Sequence, residues 1–213
     1  VFPTDDLQVE MLCQLYDEVA PFCFLPVHKE NSLKYQDKYE QYQACDRLGI
    51  PYPKTVRITS LDGLRYVKDL EPPIIIKPVT RKDIVSKVFR SLIVEDHNEL
   101  QRHESEIEGF LEQGLTFLAS EIVPGDGSNI YAYVGYRNRD GEILNEWTGK
   151  KLSQYPDDFG VFASASNEAP EEILEHGRCL LHGIDIHGIA EPEFKYDHRD
   201  GTYKLMEINL RSM

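Results

Sequence analysis

Six polar residues near the end of the chain are spaced for chemistry. Glu191, Glu193 and Lys195 alternate with Pro192, Phe194 and Tyr196, while Glu207, Asn209 and Arg211 alternate with Met206, Ile208 and Leu210. Read as two strands, each segment puts its polar groups on one face and its apolar groups on the other. Of two neighbouring registers for the resulting hairpin, the one pairing 193 with 207 keeps apolar opposite apolar. A one-residue slip sets Glu193 against Met206. Facing carboxylates repel, and one tends to stay protonated unless a cation lies between them. Mg2+, a hard ion that takes oxygen ligands, resolves that conflict, with the Asn209 carbonyl able to join Glu193 and Glu207 as a ligand. Arg211 could then meet a phosphate or a developing negative charge. A merely solvated hairpin face would show the same alternation.

The elements that must hold these strands can be read along the chain. Val1 to Asp6 reads as the exit of a strand into a helix, with Thr4 as N-cap and Leu7, Met11, Leu12, Leu15 and Val19 as its apolar face, so further chain is expected before Val1. A second helix starts at Asp37-Lys38 and stops at Gly49, before the extended Ile50-Pro51-Tyr52-Pro53-Lys54-Thr55. A short helix over 61–70 precedes Ile74-Ile75-Ile76-Lys77-Pro78, whose β-branched run predicts a strand buried on both faces and ending at Lys77. A short strand at 92–94 and a helix over 98–113 follow. The second half predicts strands over 116–123, 130–136 and 143–147, then a loop to about residue 160, a helix over 170–182 and the two terminal strands. The class is α+β, in two lobes with a boundary near 123–129.

Composition narrows the partners. Among 213 residues, 41% are apolar and 10% aromatic, enough for a real core, and the net charge is −14. With a pI near 4.9, sequence-independent binding to nucleic acid or to an anionic membrane is disfavoured. No apolar run reaches the length of a membrane span. The four cysteines lack zinc or disulfide spacing and read as buried thiols in a reducing, cytoplasmic setting. The seven histidines show no ligand spacing, and His182, His187 and His198 read as structural or surface groups.

Taken in order, these blocks resemble the ATP-grasp superfamily. Asp37-Lys38 with Gly49-Ile50-Pro51-Tyr52-Pro53-Lys54-Thr55 is similar to its entry segment, Ile74 to Pro78 to its phosphate-binding lysine strand, and Ser120-Glu121-Ile122-Val123-Pro124-Gly125 to its hinge. The pair Glu193 and Glu207-Ile208-Asn209-Leu210-Arg211 is similar to its closing metal motif. The resemblance implies an ATP-grasp fold of two α+β lobes with nucleotide between them. Residues 1–36 would end a preceding α/β domain, 37–123 form the N-lobe, and 124–213 form a truncated C-lobe. It also implies ATP and Mg2+ as cofactors, with one or two ions and Mn2+ as a substitute. Lys38 and Lys77 would contact phosphates, Glu121 the adenine amino group, the backbone of Ile122 and Val123 the adenine edge, and Asp126 or Ser128 the ribose. Glu193, Glu207 and Asn209 would hold the metal.

The segment Trp147 to Gly160, with Lys150-Lys151-Leu152-Ser153-Gln154-Tyr155, resembles carboxylate–amine ligases similar to D-aspartate ligase. The implied reaction phosphorylates a small carboxylate and joins the acylphosphate to a small amine, with Lys151, Gln154 and Arg211 at the reacting groups. A homodimer is compatible with the resemblance. Two departures stand out. No glycine occurs at 80–87, where Arg81, Lys82 or Lys87 would replace a glycine-rich phosphate loop, and Ser153 stands where the group usually has arginine. The alternatives are a bicarbonate-phosphorylating enzyme like biotin carboxylase or carbamoyl-phosphate synthetase, and an inactive nucleotide-binding regulatory module.

Overall fold

The computed structural model describes residues 1–79, 88–155 and 161–212. Arg81, Lys82 and Lys87, the candidates for a phosphate loop, lie outside these residues, as does the 156–160 part of the segment that follows Lys151. The chain forms two compact units, Val1–Tyr52 with Pro124–Met213, and Pro53–Val123. Residues 37–52, expected at the head of the N-lobe, are therefore grouped with the terminal strands.

The first unit contains α1 (Asp6–Gln14), α2 (Tyr16–Val19), α3 (Asn31–Lys34) and α4 (Lys38–Leu48). Asp5, rather than Thr4, caps α1 by accepting from the Leu7 amide at 2.8 Å. Its buried face is Val9, Leu12 and Cys13, while Leu7, Met11 and Leu15 are exposed. The expected stripe is thus corrected: the i, i+3, i+4 set that packs uses a thiol as a small apolar group. Helix α4 begins as read, with Asp37 accepting from the Tyr39 amide, and Gly49 ends it at φ 68°, a left-handed turn that glycine adopts without strain.

The second unit is built from β1 (Thr55–Ile58), α5 (Leu61–Arg65), β2 (Ile74–Pro78), β3 (Leu92–Val94), α6 (His97–Glu112) and β4 (Phe117–Glu121). Its antiparallel sheet runs β1-β4-β2-β3. Ile74 and Ile76 are fully buried with Leu100, Ile107 and Phe117, whereas Ile75 on the opposite face is only partly buried. The β2 run therefore covers one face more fully than the other, not both equally.

The rest of the first unit is a second antiparallel sheet, β7-β6-β5-β8-β9, of β5 (Ile130–Arg137), β6 (Ile143–Tyr155), β7 (Val161–Ser166), β8 (Gly188–Asp197) and β9 (Thr202–Asn209), with α7 (Glu171–Gly183) packed on it. Tyr133, Ile173, Leu180, Phe194 and Leu205 fill the space between helix and sheet. Strand β6 continues to Tyr155 where the sequence predicted a loop after Trp147. Register shifts between Lys151 and Ser153, and between Ser153 and Gln154, break the alternation that would have revealed it.

Candidate functional site

Strands β8 and β9 pair in the register that alternation predicts: Glu193 lies opposite Glu207 and Glu191 opposite Asn209, with a bulge between Glu193 and Phe194. Helix α4 brings Lys38 to this face, where its ammonium bonds Glu207. From β6, Lys151 Nζ stands 3.7 Å from Glu193 Oε2, and both side chains are largely buried. The carboxylates facing each other are thus each compensated by a lysine. Lys151 also lies over the Phe162 ring and donates to Gln154 Oε1 at 3.4 Å.

Asn209 presents its amide nitrogen to the carboxylates, 3.2 Å from Glu193 Oε1 and 3.4 Å from Glu191 Oε2, and its Oδ1 accepts from Arg211 at 3.2 Å. Arg211 in turn donates to Asp6 at 2.9 Å, so the first residue of α1 anchors it. Glu191 was placed on the alternating face but given no role, and Asp6 was not among the candidates. Glu191 shares the alternating face of Glu193, which was a usable signal; Asp6 is joined to Arg211 only by folding. Burial and then the neighbouring Glu193 push the Glu191 carboxyl up to about 8. Burial and Glu207 likewise raise Glu193, against the pull of Lys151 and Lys38.

What fixes this geometry is the far side of β9. Gln41 of α4, almost fully buried, donates to the Ile208 carbonyl at 3.0 Å and accepts from the Ile208 amide at 2.9 Å, acting as a strand partner for this edge. Tyr42 donates to the Met206 carbonyl and the Leu205 amide donates to the Pro51 carbonyl. Lys38 and Glu207 are therefore carried on elements pinned to each other within one turn of the contact.

An open cavity of about 320 Å3 is lined by Asp126, Gly127, Ser128, Lys151, Leu152, Ser153 and Gln154. It joins the expected ribose residues to the expected reacting-group residues. Asp126 accepts from the Ser128 amide at 2.8 Å and hydroxyl at 2.6 Å, bonds that hold its carboxyl below the usual range and close the turn at Gly127–Asn129.

In the other unit, Lys77 lies on β2 opposite Leu118. Glu121 ends β4 and accepts from the Glu71 amide at 3.0 Å, while the Ile122 amide donates to the Pro73 carbonyl at 3.0 Å. A base edge read at Ile122 would therefore meet its carbonyl. Val123 is buried.

The polar face of β8 and β9 fits a hard divalent cation by donor chemistry, since Glu191, Glu193, Glu207 and the Asn209 carbonyl are all oxygen donors. Coordination through Asn209 Oδ1 would require its amide to turn over and release Arg211.

No family model matches the chain. D-aspartate ligase of Enterococcus faecium (strain Aus0004) is 27% identical over 220 aligned residues, covering 97% of this chain and 51% of that protein. The chain thus spans about half the length of the curated relative it matches. Among solved structures, N5-carboxyaminoimidazole ribonucleotide synthetase in its ADP complex superposes with a TM-score of 0.70 at 13% identity, over 99% of this chain and 58% of that one. L-amino acid ligase from Bacillus licheniformis gives 0.62 at 17% identity, over 98% and 56%.

Proposed function

We propose that this chain, which has the ATP-grasp fold, is the nucleotide-binding and catalytic part of an ADP-forming carboxylate–amine ligase. The observation that carries the reading is Glu193 set directly across from Glu207, with Lys38, Lys151, Asn209 and Arg211 gathered on them. The similarity to D-aspartate ligase supports the substrate classes, a small carboxylate and a small amine.

In this reading a carboxylate oxygen of the substrate attacks the γ-phosphorus of ATP and ADP leaves. The amine nitrogen then attacks the acyl carbon, an amide forms, and phosphate departs as the nitrogen loses its proton. Little covalent work falls to the protein, so its residues act by position and charge. Glu193, Glu207 and Asn209 would hold Mg2+, with Mn2+ as a substitute; the ion would neutralise phosphate charge. Lys38 and Lys151, which contact Glu207 and Glu193, would be the cations available to phosphate oxygens were a metal ion to hold those carboxylates. Arg211 and Gln154 orient the acyl group, and Lys77 holds phosphate. Glu121, with the backbone of Ile122 and Val123, reads adenine, and Asp126 meets the ribose through Oδ2, the carboxylate oxygen not used by its turn.

The test is Mg-dependent ADP release by the full-length protein, against carboxylates and amines that begin with amino acids and include D-aspartate. ADP release that needs both a carboxylate and an amine supports the reading. Release with bicarbonate alone, or tight ATP binding without turnover, would overturn it.

A further inference from the structure

Apart from the carboxylate site, the fold brings together His28, Asp185 and His187, whose ligand atoms all lie within 4.8 Å of one another. His28 comes from the segment before α3, and the other two from the turn between α7 and β8. The imidazole rings meet at 4.7 Å between centroids. Asp185 has φ 49°, the only positive φ outside glycine among the described residues, and its carboxylate is held by Arg137 Nη1 at 2.7 Å on Oδ1. Arg137 also donates to the Ile186 carbonyl at 3.1 Å, and Asn31 Nδ2 donates to the Asp185 carbonyl at 3.0 Å. The two segments are pressed together at Gly188, where a side chain would strike the Pro26 carbonyl at 1.8 Å.

We propose that His28, Asp185 and His187 bind a late first-row divalent ion of the Zn2+ type, which clamps the N-terminal segment to the start of β8. Two imidazoles and a carboxylate are a borderline donor set that suits Zn2+ better than Mg2+. A zinc ion at about 2.1 Å from each ligand needs ligand separations of about 3.4 Å, so side-chain rotations of about an ångström or more close the site. Arg137 leaves Asp185 Oδ2 to the metal, and a hydrogen-bonded carboxylate is the usual state of such a ligand. The opposing feature is the Asn31 amide, which donates to His28 Nδ1 at 3.1 Å. Coordination through either ring nitrogen gives up that bond. Glu30, 3.8 Å from His28 Nδ1, adds a further carboxylate at the rim.

The experiment titrates the whole chain with ZnCl2, following heat and imidazole 15N chemical shifts at neutral pH. One ion should bind through imidazole and move the shifts of two of the seven histidines. H28A/H187A should weaken binding of that ion at least tenfold and remove the rise in melting temperature that Zn2+ gives the parent, while E207A should keep both. Equal Zn2+ binding by the parent and H28A/H187A would overturn the proposal. Should that variant fail to fold, the parent alone decides, since 15N shifts that move for no histidine, or for histidines other than these two, would overturn it as well.

Discussion

Glu207 and Lys38 form a contact in which both side chains are about one-third exposed, so the pair itself contributes little, about 1 kcal/mol or less. Glu207→Ala should therefore leave the fold and melting temperature nearly unchanged while abolishing Mg-dependent ADP release; retained turnover would remove Glu207 from the metal set. Lys151 is the opposite case. Its side chain is 4% exposed beside Glu193 at 12%, and removing one partner of a buried pair typically costs about 3–5 kcal/mol because the other charge is left stranded. At 3.7 Å the lower end is expected for Lys151→Met, read from urea midpoints. Lys151→Met combined with Glu193→Gln should recover much of the loss, and a cycle showing no coupling would mean that the two charges do not sense each other. The sequence made the Glu193–Glu207 confrontation legible because a period of two leaves one sensible register. Which cation lies on which carboxylate was not legible, since Lys38 and Glu207 are 169 positions apart.

At the scale of elements, the edge strand β9 is held by α4. Gln41→Leu keeps size and removes both bonds to Ile208, leaving a buried amide and carbonyl unsatisfied at about 1–3 kcal/mol each. A loss of at least about 2 kcal/mol is expected, together with weaker Mg2+ dependence because Glu207 and Asn209 flank Ile208. A loss of stability with unchanged Mg2+ dependence would show that Gln41 supports the fold and not the site. Helix α7 offers a test of sign. Gly177→Ala should gain about 1 kcal/mol from helix propensity, but a Cβ there would lie 2.1 Å from the Tyr133 ring, which is fully buried. Overpacking of about 1–3 kcal/mol or more wins, so the variant should melt lower; a higher melting temperature would mean that the ring has room to move. Helices with caps were the easiest elements to read, as at Asp37 and Gly49. Strand β6 was read only over 143–147, and its continuation to Tyr155 was missed where bulges at Lys151 to Gln154 break the alternation that marks a strand.

For the whole molecule the governing fact is a net charge of −14. No described helix is long and apolar enough to cross a membrane. The placement of residues 37–52 with the terminal strands could not be read from sequence, since it rests on bonds such as Gln41 to Ile208 across 167 positions. Excess negative charge works against compactness at neutral pH, whereas exposed pairs such as Arg65–Asp62 contribute little that salt could remove. Raising NaCl from about 0.01 M to about 0.15 M shortens the screening length from about 30 Å to about 8 Å. The melting temperature should then rise, by about 2–4 °C for each kcal/mol relieved in a chain of this size. Mg2+ at equal ionic strength should raise it further, because an ion bound only by the folded state adds stabilisation that grows with its concentration over Kd. E207A should respond to NaCl like the parent and lose the extra response to Mg2+. An extra Mg2+ response preserved in E207A would place the ion elsewhere on an acidic surface, and separates a built site from the field of the whole protein.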